Sequence, residues 1–222
     1  MLYLVPTPIG NLQDITVRAL ELLKSVDLIA CEDTRTSSKL LNHYDISVPR
    51  TSYHDHNERT KALHLIEKMK AGQRVALISD AGSPGISDPG FYLVRACIEE
   101  GIQIEALPGA TAIIPALTVS GLPSERFVYE GFLPVKKGRQ TRLAQLEEEY
   151  RTMVFYESPH RILKTLTNFE VTFGPDRPAA VVREISKAFE EIQRGTITEL
   201  KKYFSEKNKV RGEFVIVVGG KR

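Results

Sequence analysis

The residues best placed to do chemistry gather in Arg74–Gly90, RVALISDAGSPGISDPG. Val75-Ala76-Leu77-Ile78 has the character of a buried strand. The loop after it holds three glycines, two prolines and two carboxylates, Asp80 and Asp88, with no lysine or arginine. A strand that hands a glycine-rich loop to a helix is where an open α/β sheet binds its ligand, beyond the carboxyl ends of the strands. A phosphate cradle uses backbone N–H groups and often a lysine. Two carboxylates instead repel a pyrophosphate and favour hydroxyls, amines or a positive charge. S-adenosylmethionine, with ribose hydroxyls, an amino group and a sulfonium, matches that chemistry better than ATP or NAD. Asp80, at the end of a central strand, is expected to bind the ligand. Asp88 is expected to cap the helix that Pro89 begins.

Other charged groups also stand at strand ends. Glu32, Asp33 and Arg35 follow the apolar run Asp27–Cys31. They read either as a salt-bridged helix start or as a proton acceptor beside a phosphate-holding arginine, with nothing to say which acid does which. His160 and Arg161 follow Ser158-Pro159 and are expected in the first turn of a helix, a place that suits phosphate as well as solvent. Arg183, Glu184 and Lys187 are either cleft-facing charges or a surface ion-pair set. Lys136, Lys137, Arg139 and Arg142 cluster at one strand–helix junction, and Lys207, Lys209 and Arg211 at another. Such clusters can form an RNA footprint, although charged helix faces are usually just solvated. His54, Asp55 and His56 have no third ligand at metal-binding spacing, so no metal is expected.

The elements that must position these groups alternate. Leu2–Val5 reads as a strand, Pro6–Asn11 as a rigid turn, and Asp14 as the cap of a helix with Ile15, Ala19, Leu22, Leu23 and Val26 at helical spacing. A helix at about 36–44, a short strand near 51–54 and an amphipathic helix over 58–70 follow. After the central loop come a helix over 89–100, a strand over 102–107 and a helix over 110–119. This rhythm argues for a parallel βαβ sheet. Ser120-Gly121-Leu122-Pro123 is the expected linker, giving domains 1–120 and 121–222. The second half reads as strands near 127–132, 152–156, 179–182 and 214–218, with helices over 138–150, from Ser158, and over 197–204. Its short late connections suggest a mixed sheet.

Composition sets the outer bounds. The 222 residues suffice for one large domain or two modest ones, and 42% hydrophobic with 26% charged content is ordinary for a globular protein. No window has the apolar run of a membrane span, and the N-terminus meets a proline at once rather than a signal-peptide pattern. Two distant cysteines, Cys31 and Cys97, suggest a reduced, cytoplasmic setting. A net charge of +2 neither demands nor excludes a polyanionic partner.

Eight stretches together carry a resemblance: LYLVPTPIGNLQDIT from Leu2, ACEDTR from Ala30, SDAGSPGISDPG from Ser79, LPGATAIIPALTVSGL from Leu107, GFLPVKK from Gly131, YESPHR from Tyr156, REISK from Arg183 and GEFVIVVG from Gly212. In this order they resemble the tetrapyrrole methylase superfamily, and within it the branch that methylates a cytidine ribose 2′-hydroxyl in small-subunit ribosomal RNA. ACEDTR and YESPHR in one chain are far more specific than any single glycine pattern. The resemblance implies two α/β domains with S-adenosylmethionine in the trough between them, usually as a homodimer. It implies cofactor contacts from Pro8 and Ile9, from Asp80, Ala81, Gly82 and Ser83, from Ala110, Thr111 and Ala112, and from Tyr156. It favours a reaction role for Glu32, Asp33 and Arg35 and has the Arg183-Glu184 region close the trough; Lys187 beside them, and His160, Arg161, Lys136, Lys137 and Arg139 as RNA contacts, are expected from charge and placement.

Pro6 and Ser83 depart from the alanine and threonine common in relatives without removing a needed group. Many relatives continue beyond GEFVIVVG, so any RNA contact made there is expected to be missing or replaced. The expected substrate is small-subunit RNA or the assembled subunit. Alternatives are a methylase of a tetrapyrrole precursor or protein side chain, a non-catalytic ribosome-binding module, and, disfavoured by the lysine-free loop, a nucleotide-dependent enzyme.

Overall fold

Short runs of wholly buried residues build the first sheet. In the computed structural model, which describes residues 1–221, β2 (Leu28–Cys31) and β4 (Val75–Ile78) are buried along their entire length. A parallel strand covered on both faces has that composition. The full order of the first unit is β1 (Leu2–Leu4), α1 (Val17–Ser25), β2, α2 (Thr34–His43), β3 (Arg50–Ser52), α3 (Glu58–Lys70), β4, α4 (Phe91–Glu99) and β5 (Ile104–Ala106). The strands lie in the order β3-β2-β4-β1-β5, all parallel. Alternate residues face opposite layers, as the pleat requires. Leu2, Leu28, Ala30, Val75 and Leu77 join Leu65, Met69 and Leu93 of α3 and α4 in one core. Tyr3, Ile29, Cys31, Ala76 and Ile78 join Ala19, Leu23 and Leu41 of α1 and α2 in the other.

The second unit comprises α5 (Ile113–Ser120), β6 (Phe127–Phe132), α6 (Arg139–Leu146), β7 (Thr152–Glu157), α7 (Ile162–Phe173), β8 (Pro178–Arg183), β9 (Glu191–Thr196), α8 (Ile197–Ser205) and β10 (Phe214–Val218). Its sheet runs β6-β7-β10-β8-β9. β6 and β7 are parallel and every other pair is antiparallel, so the sheet is mixed. Phe155, Val181 and Ile216 face Leu166, Phe169 and Phe204 of α7 and α8, whereas Val154, Val182 and Val217 face Ala116 and Leu117 of α5.

The chain divides into Met1–Thr111 and Ala112–Arg222. α5 thus belongs with the second sheet, whose valines cover it, although its place in the βαβ rhythm suggests the first. The starts of α1 and α7 also differ from expectation. Thr16, not Asp14, caps α1 by accepting from the Ala19 N–H; Asp14 closes a 3₁₀ turn over Leu12–Asp14. α7 begins at Ile162, so His160 and Arg161 lie in the turn before it rather than in its first coil.

Candidate active site

Three loops at the carboxyl ends of the first sheet are tied together by their backbones. Thr7 and Gly82 exchange both N–H···O bonds at 2.9 Å, joining the loop after β1 to the loop after β4. The buried Thr7 hydroxyl donates to the Ser79 carbonyl at 3.0 Å, and the Ser83 hydroxyl donates to the Ala110 carbonyl at 3.3 Å. The loop after β5 is pressed close: a Cβ on Gly109 would stand 2.6 Å from Pro6 Cβ. Gly82 takes φ +84 with Ile9 Cγ2 and the Ala110 carbonyl around it, a backbone state that favours glycine. Pro8 is buried and Ile9 half-buried beside this junction, while Ala81 is exposed. The structure therefore brings the stretches around Pro8–Ile9, Asp80–Ser83 and Ala110 to one place in the first unit.

Acidic groups rim that place. The Asp33 N–H donates to Asp80 Oδ1 at 3.2 Å, joining the ends of β2 and β4. Asp33 also caps α2 through the Arg35 N–H at 2.8 Å, and its carboxylate takes the Arg35 guanidinium at 3.1 and 2.7 Å. Those Arg35 bonds hold Asp33 down to about 2, so it is a poor proton acceptor near neutrality. Glu32 is opposite in character: burial first, then the charges of Asp80 and Asp55, push its carboxyl upward. Asp80 is exposed, yet partial burial of its carboxyl, together with the Asp33 charge, also raises it. Of the two acids in ACEDTR, Glu32 is the one poised to take a proton.

Asp88 does not cap α4. Gly90, at φ +151, is the N-cap, with no side-chain cap bond. A Cβ there would stand 3.0 Å from the Gly85 nitrogen. Asp88 instead joins the acidic group: burial, then the Glu32 charge, push its carboxyl up to about 7, with a hydrogen bond to Ser79 opposing. Its role was hidden because Asp-Pro before an apolar run carries a strong cap signature. What Gly85 and Gly90 allow the loop to do is a three-dimensional fact. Among the described residues no cluster of histidine, cysteine or acidic groups has metal-binding geometry.

In the second unit the charged motifs are largely held by one another. Glu157, buried at the end of β7, accepts from the Ser158 N–H at 2.8 Å, Arg161 Nε at 2.7 Å and the Thr165 hydroxyl at 2.5 Å. Arg161 also donates to the Leu133 carbonyl. YESPHR therefore folds its arginine inward, and of its two basic residues only His160 is exposed. Arg139 is 4% exposed and donates to Asn168, Thr165 and the Pro134 carbonyl. It cannot meet an RNA phosphate, and its place in the basic footprint is corrected. Arg142 forks onto Glu130 with two bonds of 2.7 Å. Lys136 and Lys137 remain exposed.

At the end of β8, Arg183 donates to the Arg211 carbonyl at 2.6 Å and to Glu191 at 3.2 Å. Lys187 bridges Glu184 at 3.0 Å and Glu213 at 2.7 Å. Glu184 itself takes φ +50. Arg183 thus pairs with Glu191, and Lys187 with Glu184 and Glu213. The Tyr156 ring stands 5.4 Å from that of Tyr129 and 5.5 Å from that of Phe132, in an aromatic group beside α5. Thr111 ends the first unit and Ala112 opens the second.

The model described as Tetrapyrrole (Corrin/Porphyrin) Methylases matches residues 1–201. A Haemophilus influenzae protein named Ribosomal RNA small subunit methyltransferase I is 54% identical over 223 residues, covering all of this chain and 79% of its own length. A protein of the same name from Synechocystis is 52% identical over 99% of this chain and 79% of its own. Among solved structures, a diphthine synthase superposes with a TM-score of 0.77 at 16% identity, covering 99% of this chain and 90% of that one. A Thermus thermophilus uroporphyrin-III C-methyl transferase complexed with S-adenyl homocysteine gives 0.67 at 20%, covering 98% and 96%. With most of its length matched by the family model and its whole length by relatives half identical to it, the chain belongs to the tetrapyrrole (corrin/porphyrin) methylases.

Proposed function

We propose that this chain transfers a methyl group from S-adenosylmethionine to the ribose 2′-hydroxyl of a cytidine in small-subunit ribosomal RNA. The observation that carries the reading is the 54% identity, over the whole chain, to a protein named Ribosomal RNA small subunit methyltransferase I. The first unit's loops suit the donor chemically. They present backbone groups around Gly82 and carboxylates at Glu32, Asp80 and Asp88, with no lysine or arginine between Ser79 and Gly90. Such a rim attracts amines and a sulfonium and repels polyphosphates.

When bound, S-adenosylmethionine supplies an electrophilic methyl on a positively charged sulfur. The chain's residues then have three tasks. Asp80, with Ala81, Gly82 and Ser83 and the neighbouring Pro8, Ile9 and Ala110–Ala112 stretches, holds the donor by its polar groups. Glu32 takes the proton that the weakly acidic ribose hydroxyl must lose, which its raised affinity for protons suits. Asp33 and Arg35 fix the start of α2 and keep Asp80 oriented through the Asp33 N–H. Holding nucleophile and methyl in line supplies most of the acceleration, on the order of 7–11 kcal/mol for well-oriented reactants. A homodimer working in the cytoplasm belongs to the same reading; analytical ultracentrifugation reads the stoichiometry.

The experiment is methyl mapping. Small subunits lacking the modification are incubated with the protein and isotopically labelled donor, and the RNA fragments are analysed by mass spectrometry. A labelled methyl on one cytidine ribose is expected. A methyl on a base or on ribosomal protein, or label on a tetrapyrrole precursor only, overturns the assignment.

A further inference from the structure

The second unit holds a cavity whose lining includes none of the residues assigned above to methyl transfer. It opens at the amino ends of β6 and β7, where the segments around Arg126 and Tyr150 lead into those strands, and it has a volume of about 320 Å³. Because β6 and β7 run parallel, Tyr156 and Glu157 lie at the opposite ends of the same strands. The cavity is therefore on the far edge of this sheet from the YESPHR turn.

Its walls are fixed. The Gly219 N–H donates to the Pro178 carbonyl at 2.8 Å, and the Lys221 N–H donates to the Glu149 carbonyl at 2.7 Å. Between them Gly220 crosses the Tyr150 peptide so closely that a Cβ would stand 1.9 Å from the Tyr150 oxygen. The buried Thr152 hydroxyl donates to the Pro123 carbonyl at 2.6 Å. Pro123 and Pro178 add flat apolar surface to the lining.

The functional groups have unequal freedom. Arg151 is engaged by Glu149 through two bonds of 2.8 Å and lies 5.5 Å from the centroid of the Tyr150 ring. Lys221 pairs with Glu148 at the surface. Arg126 is exposed and has no hydrogen bond or ion pair among the described residues. Tyr150 is 66% exposed, so its ring is open to a partner despite the guanidinium beside it. Of the lining charges, Glu125 is negative and Arg126, Arg151 and Lys221 are positive, but Arg151 and Lys221 are offset by their ion pairs with Glu149 and Glu148. That balance disfavours an acidic peptide carrying several carboxylates. It suits a ligand with one anionic group next to a flat face, which is the chemistry of one nucleotide in an RNA strand. Base stacking on tyrosine with one phosphate on arginine is a recurrent way of holding such a strand.

We infer that this cavity docks one nucleotide of the substrate RNA, its base against Tyr150 and its phosphate on Arg126. The inference rests on the RNA substrate proposed above, and its test is a binding measurement independent of turnover. End-labelled small-subunit ribosomal RNA is titrated with the full chain and followed by fluorescence anisotropy across a salt series. Wild type is compared with Tyr150→Ala, Arg126→Ala and, as a control for the loss of one exposed charge, Lys164→Ala. All three sites are exposed, and circular dichroism verifies folding.

The expected result is a loss of RNA affinity of about 5-fold or more in Tyr150→Ala. The log–log salt slope should fall by about one in Arg126→Ala, with S-adenosylmethionine affinity unchanged in both. RNA affinity and salt slope equal to those of wild type overturn the inference. So does displacement of the RNA by a polyglutamate peptide in wild type but not in the variants, which would make the cavity a protein-docking site. Weakened RNA binding in the variants, alongside a wild type that binds RNA but transfers no methyl, supports the cavity and sinks the proposed reaction instead. Methyl transfer by all variants with unaltered RNA binding does the reverse.

Discussion

Replacing Asp88 by asparagine separates its electrostatic burden from its shape. In the folded first unit its carboxyl titrates at about 7, against 3.8 for an ordinary aspartate, because burial and the Glu32 charge disfavour the anion. Below about pH 4 the group is protonated in both folded and unfolded chains and contributes nothing to the pH dependence. Between about 4 and 7 the unfolded chain has released a proton that the folded chain retains, so stability falls as pH rises. Each pH unit in that window is worth about 1.4 kcal/mol, which sets an upper limit of about 4 kcal/mol on the cost above pH 7. Solvent reaching the partly exposed carboxyl screens part of that cost, so about 1–2 kcal/mol is the expected gain of Asp88→Asn at about pH 8. Urea unfolding followed by circular dichroism from about pH 4.5 to 8 reads the difference. The variant should match wild type at the acid end and pull steadily ahead toward the alkaline end. Parallel curves with a constant offset would refute the reasoning, since they would mean that Asp88 is already ionised with its charge compensated.

Three further outcomes follow from the same geometry. Glu32→Gln should lower kcat by about 10²–10⁴-fold, the usual worth of a positioned base, with S-adenosylmethionine affinity kept; Asp33→Asn should cost far less in kcat. Single-turnover kinetics against donor titrations separates the two. Arg139→Ala should destabilise the second unit by about 2–3 kcal/mol, because Thr165, Asn168 and the Pro134 carbonyl lose a buried donor; RNA affinity at matched folded fraction should not change, which anisotropy checks. In Glu191, burial raises the carboxyl, but Lys207 and Tyr203, with Arg183, outweigh it and bring it down to about 2. Its stabilisation is thus present above about pH 4.5 and lost as pH falls toward 2, and after solvent screening of this surface network Glu191→Gln should cost about 1 kcal/mol near neutrality, with the gap to wild type closing in acid during chemical denaturation.

Strands were legible wherever apolar runs were wholly buried, as in Leu28–Cys31, Val75–Ile78 and Phe214–Val218. Burial on both faces leaves a continuous pattern that needs no partner to be read. Helix starts were less legible because several residues compete for each. Asp14 and Thr16 are both good caps, and only the observed turn decides that Thr16 receives the Ala19 N–H. The Asp88-Pro89 signal lost to Gly90, whose positive φ begins α4 two residues later than the sequence suggests. The acidic character of the loop after β4 was visible in composition, but its extension to Glu32 depends on how β2 and β4 lie side by side. Arg139 illustrates the opposite failure. Arginine next to two exposed lysines looks like surface, and its burial arises from Thr165 and Asn168 on α7, more than twenty residues away. Long-range polar pairing of this kind leaves no local pattern.

Selection of a cationic methyl donor by the acidic rim of the first unit is tested most directly by calorimetry of donor binding. Wild type should bind S-adenosylmethionine and ignore ATP, and Asp80→Ala should lose donor affinity by about tenfold or more, the effect of removing a charged hydrogen-bond partner. Tight ATP binding, or equal donor affinity in wild type and Asp80→Ala, would contradict it.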